Sequence, residues 1–281
     1  MSFGPNPWQQ TSWDARAAGN FIGGGAGAGV IVFAALSGAQ GPALTGLMLG
    51  GLALVGAGLF CVFLELGRPW RAINVLFNPR TSWMSREAFT AALLLPVGVG
   101  AAVGVSSCIP IAAVLAVVFV FCQGRMLQAA KGIPAWREPL LAPLILTTAL
   151  TEGGGVFFLT APLHGAATEP LTAAFGVLVI ARVLVWLAYR RRLEGKLASG
   201  ANAALDRAGR VLQLAGTLAP LVLIFTIGTG IVGGEQILAL AALAGLAALL
   251  AGSYFKLTLV TRAGFNQGFA LSHLPIRGAR P

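Results

Sequence analysis

The sequence predicts an all-α integral membrane protein with eight transmembrane helices. Hydrophobic residues make up 57% of the 281 residues and charged residues only 10%, whereas about a quarter of the residues in a soluble domain are charged. The apolar residues form long runs of about 20 residues, the length that a helix needs to cross a bilayer. Lys and Arg are concentrated in every second connection between these runs, as expected when the chain crosses the membrane repeatedly.

The apolar runs define the predicted spans, which lie at 17–37, 43–66, 88–106, 109–129, 139–160, 170–189, 211–232 and 236–260. The first span is rich in glycine, and the second carries Gly51, Gly56 and Gly58. Small residues allow two helices to approach closely in a membrane. We therefore expect the first span to be buried and to pack tightly against the second.

The basic residues indicate the orientation. Of the 19 Lys and Arg residues, 18 lie in the N-terminal segment, in the connections after spans two, four and six, or at the C-terminal end, with which Lys256 is counted. Arg182, inside span six, is the exception. The positive-inside rule then places both termini in the cytoplasm, and we interpret the net charge of +10 as topology and lipid contact rather than nucleic-acid binding.

The connection after the second span is the most polar part of the first half. It runs from Glu65 to Glu87 and contains four arginines, two glutamates and two tryptophans within 23 residues. One interpretation is a charged connector that sets the topology, with Trp70 and Trp83 as interfacial anchors. The other is a ligand site at the mouth of the helices.

Asp14, Arg16 and Asn20 open the first span at the depth where Glu65 closes the second. Polar groups beside an apolar channel can hold a quinone head group and exchange protons with it. Glu65 and Asp14 are the candidate proton-exchanging residues. The candidate head-group ligands are Asn20, Arg16, Arg68, Trp70, Trp83, Ser85 and Arg86. The alternative is that these residues serve only as helix caps and snorkelling arginines.

Two further ionisable residues, Glu152 and Arg182, lie within predicted spans, where such residues are costly and are functional candidates. Glu152 is the third candidate for proton exchange, either as a proton relay or as a protonated structural glutamate bonded to a neighbouring helix. From their positions along the two helices, Glu152 and Arg182 differ in predicted depth, which argues against direct pairing.

The sequence predicts no haem, iron–sulfur cluster or metal site in this chain. Cys61, Cys108 and Cys122 show no C-x-x-C spacing. His164 and His273 lie outside the predicted spans, whereas a haem between helices needs ligands within them.

The motifs Leu66-Gly67-Arg68-Pro69 after the second span and Ser82-Trp83-Met84-Ser85-Arg86 before the third resemble the polysulfide reductase NrfD-type family. This family comprises membrane anchor subunits of molybdopterin oxidoreductases, including the dimethyl sulfoxide reductase anchor. Its members often place a histidine in the first span or before Leu-Gly-Arg-Pro. This chain has Asn20 and Glu65 there, so a histidine role is not carried over.

The resemblance implies two four-helix bundles, at 1–135 with the quinone site at its mouth and at 136–281 with the C-terminal tail. It implies menaquinone or ubiquinone as the cofactor, and no haem. The implied partners are a four-cluster iron–sulfur subunit over that mouth and a bis-molybdopterin catalytic subunit, and the implied location is the bacterial cytoplasmic membrane.

The N-terminal stretch 7–20 resembles, more narrowly, the anchors of phenylacetyl-CoA:acceptor oxidoreductases. The expected function is electron transfer between the iron–sulfur subunit and the quinone pool during cytoplasmic oxidation of an aromatic acyl-CoA. The alternatives are the anchor of a dimethyl sulfoxide, polysulfide or sulfite-type oxidoreductase, a purely structural anchor, and a small secondary transporter with a midplane site.

Overall fold

The computed structural model describes residue 4 and residues 6–165 and 167–268. The predicted C-terminal tail beyond residue 268 lies outside the described residues. The long helices are α1 Ala15–Leu36, α2 Gly41–Glu65, α3 Trp83–Ala102, α4 Cys108–Ala129, α5 Leu141–Leu159, α6 Glu169–Leu193, α7 Ser199–Gly228 and α8 Glu235–Thr261. Short helices lie at Pro69–Phe77, which is a 3₁₀ helix, at Pro134–Arg137 and at Ala161–His164.

The helices confirm an all-α polytopic membrane protein. Within the described residues, seven helices are long and apolar enough to cross a membrane, and α3 is not one of the seven. Helix α3 overlaps the predicted third span, 88–106. Since α3 is not among the candidate spans, eight crossings stay a prediction. Helix α7 begins at Ser199 rather than near residue 211, because apolar residues such as Ala201, Leu205 and Ala208 recur at helical spacing on its buried face.

Local sequence explains several helix ends. Asp14 caps α1 by accepting a hydrogen bond from the backbone nitrogen of Arg16, and Ser82 caps α3 by accepting from the backbone nitrogen of Ser85 at 3.3 Å. Helices α2 and α6 have a proline in the first turn, where a missing backbone N–H costs nothing. Two π-helical turns interrupt the long helices, at Asn20–Gly24 in α1 and at Leu214–Leu218 in α7.

Helices α1 and α5 form the centre of the molecule. In the most apolar 18-residue stretch of each helix, 67% of the residues of α1 and 72% of those of α5 are buried. The corresponding share is 22% to 39% in the other five candidate spans. Helix α1 packs against α2, α4 and α5, and α5 packs in turn against α6 and α8. The expected arrangement in two four-helix bundles, with its division at residue 135, stays a prediction.

Glycines make these close contacts. A side chain at Gly153 of α5 would overlap the backbone of Gly29 in α1, and one at Gly27 would overlap the backbone of Gly51 in α2. The predicted tight packing of the first two spans is therefore confirmed. The expectation for Gly56 was wrong, because apart from the neighbouring backbone of its own helix no heavy atom of the described residues lies within 4 Å of the position that its side chain would take.

The N-terminal segment is paired with the residues that follow α8. Gln9 and Phe265 form an antiparallel bridge, the backbone nitrogen of Gln10 donates to Gly264 O at 2.8 Å, and that of Asn266 donates to Trp8 O at 3.0 Å. The two ends of the described chain therefore lie at the same end of the molecule, which we call the mouth end. Both ends are expected on the same side of the membrane when the chain crosses it an even number of times.

We expect Gly153→Ala to destabilise the protein by at least about 1–3 kcal/mol, because the new methyl group cannot fit against the α1 backbone. Gly56→Ala is the matched control, since its methyl group enters open space. Thermal unfolding in detergent measures both. Equal melting temperatures for the two variants would contradict the close α1–α5 contact.

Candidate functional site

A hydrogen-bonded clasp joins α1 to α2 at the mouth end. Arg16 forms an ion pair with Asp14 at 2.8 Å, and its Nη1 donates to Leu64 O at 3.0 Å. The side-chain hydrogen bond from Arg16 holds the pKa of the Asp14 carboxyl below its ordinary value. Asp14 is therefore ionised at neutral pH. An ionised carboxylate can hold Arg16 in place at the rim, but it has no proton to donate.

One turn deeper, a buried carboxyl lies among three helices. Glu87 of α3 is 4% exposed. Its Oε1 accepts hydrogen bonds from Asn20 Nδ2 of α1 at 2.9 Å and from Gln123 Nε2 of α4 at 3.1 Å. Glu87 takes part in no ion pair within the described residues. Since both amides bind Oε1, a proton carried by this carboxyl belongs on Oε2.

Two adjoining cavities open onto this carboxyl. Their volumes are about 230 and 210 Å³. Both are lined by Asn20, Val62, Leu66, Met84 and Glu87. The first extends past the aromatic rings of Trp13 and Phe21 to Glu65, and the second extends beneath the 3₁₀ helix at Pro69–Phe77. Apolar walls with a few convergent polar groups are typical of a site for a small organic ligand.

The structure gathers only part of the predicted site around these cavities. Asn20 lines both and Glu65 lines the first, whereas Asp14 and Arg16 lie at the rim. Arg68 and Trp70 are exposed and line neither cavity, and the Trp70 side chain is 94% exposed.

The residues that open α3 also lie apart from the cavities. Ser85 is buried without lining either of them. The guanidinium carbons of Arg86 and Arg125 lie 4.1 and 4.9 Å from the centre of the Trp83 ring. Trp83 and Arg86 are thus engaged with each other and with α4.

The π-helical turn of α1 connects the cavities to a second buried polar cluster. The carbonyl oxygen of Asn20 accepts a hydrogen bond from Gln123 Nε2 at 3.0 Å, and that of Phe21 accepts one from Lys256 Nζ at 2.7 Å. A π turn interrupts the regular hydrogen-bond ladder and is frequent at functional sites. Lys256 of α8 and Gln123 of the Glu87 cluster therefore bind the carbonyl oxygens of two adjacent residues of this turn.

Lys256 forms a buried ion pair with Glu152 of α5, in which Nζ and Oε2 are 2.5 Å apart. Arg182 of α6, also fully buried, donates to Ala248 O at 3.2 Å and to Gly216 O in the π-helical turn of α7. Its charge acts on Glu152, but the two form no direct ion pair. The predicted absence of direct pairing between Glu152 and Arg182 agrees with this arrangement. The predicted mismatch in depth does not, because the two side chains lie against Gly252 and Ala248, which are one turn apart on α8.

Three glycines provide the space for this cluster. A side chain at Gly25 would collide with Lys256 Nζ, one at Gly252 would lie 2.8 Å from the Glu152 carboxyl, and one at Gly216 would lie 3.0 Å from Arg182 Nη2. The sequence is thus adapted to burying these charges. Counting Lys256 among the basic residues of the C-terminal end was wrong, because α8 carries it into the protein interior.

Sequence reasoning missed Glu87, Gln123 and Lys256 as members of these clusters. Glu87 is the last residue of the polar connection between the second and third predicted spans, and Gln123 is a polar residue within an otherwise apolar span. Lys256 falls within the predicted last span, 236–260, so its position alone marked it as an intramembrane charge.

A larger cavity, of about 440 Å³, lies toward the other ends of α1, α2 and α5, where His164 and Thr160 are the polar residues among apolar walls. No carboxyl of the described residues lines it. Among the described residues, no group of three or more His, Cys, Asp and Glu could hold a metal ion.

Residues 5–106 match the family model described as polysulphide reductase, NrfD. No curated protein matches the chain. The matched part contains the clasp, Asn20, Glu87 and the connection between α2 and α3, so the mouth is NrfD-like in sequence. This match confirms the coarse resemblance to an oxidoreductase membrane anchor, and it ends before α4.

We expect Glu152→Gln and Lys256→Met each to lower the free energy of unfolding by about 3–5 kcal/mol, because each leaves a buried partner unpaired. The double variant should lose clearly less than the sum of the two. Thermal or denaturant unfolding in detergent measures the three values. Lys131→Met, at an exposed lysine, controls for loss of a positive charge. Additive losses would contradict the pairing.

Proposed function

We propose that this chain is the quinone-reactive membrane anchor subunit of a molybdopterin and iron–sulfur oxidoreductase. It passes electrons between the iron–sulfur subunit and the membrane quinone pool. The observation that carries this proposal is Glu87, a buried carboxyl that faces two apolar cavities in the NrfD-like part of the chain and has no cationic partner among the described residues. A carboxyl in such a place is costly to ionise and is suited to holding a proton for transfer.

The residues of the cavities fit a quinone. Val62, Leu66 and Met84 offer apolar walls for a ring and an isoprenoid tail. Asn20 Oδ1 is buried and has no hydrogen-bonding partner among the described residues, so the amide has capacity to orient a head group. A bound quinone supplies an acceptor for two electrons and two protons.

Glu87 and Glu65 have different roles in the proposed proton transfer. Glu87 Oε2 accepts no hydrogen bond from the described residues and is the atom that exchanges a proton with the head group. Glu65, partly exposed at the end of α2, lines the same cavity and connects it to water. Asp14 and Arg16 keep the ends of α1 and α2 together around that entrance.

Glu152 is the proposed second proton-exchanging residue, deeper in the protein. Its partner Lys256 donates to the carbonyl oxygen of Phe21, whose side chain lines the first cavity. Glu152 lies beside Ser253 of α8, and its Oε1 has no hydrogen-bonding partner with good geometry among the described residues, which leaves it able to bind a proton or a water molecule. The cluster thus offers a protonatable group next to the quinone site.

For the catalytic partner we propose a cytoplasmic enzyme that oxidises an aromatic acyl-CoA. The basic residues at the mouth end support a cytoplasmic mouth, and the N-terminal motif supports the acyl-CoA class. The description of the matching family model favours a polysulfide reductase anchor as the alternative within the same class. The buried Glu152, Lys256 and Arg182 favour a secondary transporter as the alternative from another class.

We expect Glu87→Gln to lower quinone-linked turnover of the native complex by about 10²-fold or more, because general acid–base catalysis contributes about 10²–10⁴-fold. Electron transfer from the soluble subunits to an artificial acceptor should be unchanged. Glu194→Gln, at an exposed glutamate, is the control. Unchanged quinone-linked turnover would remove Glu87 from the site, and solute flux in liposomes without any quinone reaction would favour the transporter.

We expect a fluorescent protein fused after Pro281 to fluoresce and alkaline phosphatase fused there to be inactive, because the positive-inside rule places the C-terminus in the cytoplasm. Both fusions are measured in whole cells. The reverse pattern would place the mouth on the outer side and would overturn the assignment to cytoplasmic acyl-CoA oxidation, while leaving the quinone site untouched.

A further inference from the structure

Two arginines share one tryptophan at the mouth end of α3 and α4. The guanidinium carbons of Arg86 and Arg125 lie 4.1 and 4.9 Å from the centre of the Trp83 ring, within the range of cation–π attraction. Within the described residues, neither arginine forms an ion pair with an acidic side chain. Two positive charges held against one ring repel each other, and a bound anion would offset that repulsion.

The hydrogen bonds of these arginines hold them in position without neutralising them. Arg86 donates from Nε to Pro79 O and from Nη2 to Arg80 O, both at 2.8 Å. Arg125 donates from Nη1 to Gln128 Oε1 at 3.0 Å, and its buried Nε has no partner among the described residues. Each guanidinium therefore keeps donors for a further acceptor, and the exposed Arg80 lies close by.

Apolar side chains continue from this cluster along both helices. On α4, Val114, Val118 and Phe121 recur at helical spacing below Arg125, and all three are exposed. On α3, Phe89 and Leu93 follow Arg86 in the same way and are also exposed. Phe121 contacts the Trp83 ring edge to face, with 5.9 Å between the ring centres. The cationic cluster thus sits at the top of a continuous apolar face.

We propose that Arg86, Arg125 and Trp83 form a binding site for an anionic phospholipid. The two guanidinium groups bind the phosphate of the head group, for which Arg has the right donor geometry. The acyl chains lie along the apolar face of α3 and α4. Basic pockets between transmembrane helices bind anionic lipid head groups in this manner, and a lipid explains the apolar face, which a free phosphate or an acidic protein does not.

The site is separate from the quinone cavities. Trp83, Arg86 and Arg125 line neither of them. However, Arg86 and Glu87 are neighbours on α3, and Arg125 and Gln123 lie within one turn of α4. A lipid bound here therefore stabilises two of the three helices that carry the Glu87 cluster.

The test counts lipids on the purified full-length chain by native mass spectrometry during titration with phosphatidylglycerol or phosphatidylcholine. We expect the wild type to retain phosphatidylglycerol preferentially. In Arg125→Gln and Arg86→Gln, the Kd for phosphatidylglycerol should rise about tenfold or more, because a charge-assisted contact is lost. Arg191→Gln, at an exposed arginine elsewhere, should bind like the wild type.

Two further measurements separate the alternatives. Arg125→Lys keeps the charge but loses the guanidinium donor geometry, so its Kd for phosphatidylglycerol should lie between those of the wild type and Arg125→Gln. This partial rescue by charge would show that the loss in the Gln variant is not misfolding. Displacement of the lipid by millimolar inorganic phosphate would overturn the lipid assignment in favour of a free anion. Equal lipid binding by Arg125→Gln and the wild type, with loss of the soluble subunits from the native complex, would overturn it in favour of protein docking.

Discussion

Two successive carbonyl oxygens in the π-helical turn of α1 join the polar clusters inside this protein. Asn20 O accepts from Gln123 and Phe21 O accepts from Lys256. Burying polar side chains is costly unless their hydrogen bonds are satisfied, and a carbonyl in a distorted turn is a convenient acceptor. The π-helical turn of α7 does the same for Arg182. Irregular backbone and buried charge therefore occur together.

This arrangement depends on α1 lying at the centre of the molecule. Glycines at the contacts with α2 and α5 let the backbones approach so closely that α1 can present Asn20 to α3 and Phe21 to α8. A larger residue at Gly29 or Gly153 would push the helices apart and lengthen every hydrogen bond to the π-helical turn. Packing and site chemistry thus rest on the same small residues.

The mouth end combines three separate environments within a short distance. The clasp of Asp14 and Arg16 is exposed, the Glu87 carboxyl is buried beside apolar cavities, and Trp83 with its two arginines borders the exposed apolar residues of α3 and α4. The proposed quinone chemistry uses the second environment. The proposed lipid site uses the third, which accounts for motif residues that the cavities leave unused.

The sequence by itself determined the membrane class, the positions of the spans to within a few residues for most helices, the buried glycine-rich first helix and the polar mouth with Asn20 and Glu65. These follow from composition and periodicity, which are local properties. Only the tertiary structure decided that Glu87 rather than Arg68 faces the cavities, and that Lys256 pairs with Glu152. Both outcomes depend on how each helix is rotated against its neighbours, and that rotation is set by contacts between residues far apart in the chain, such as Gly29 with Gly153.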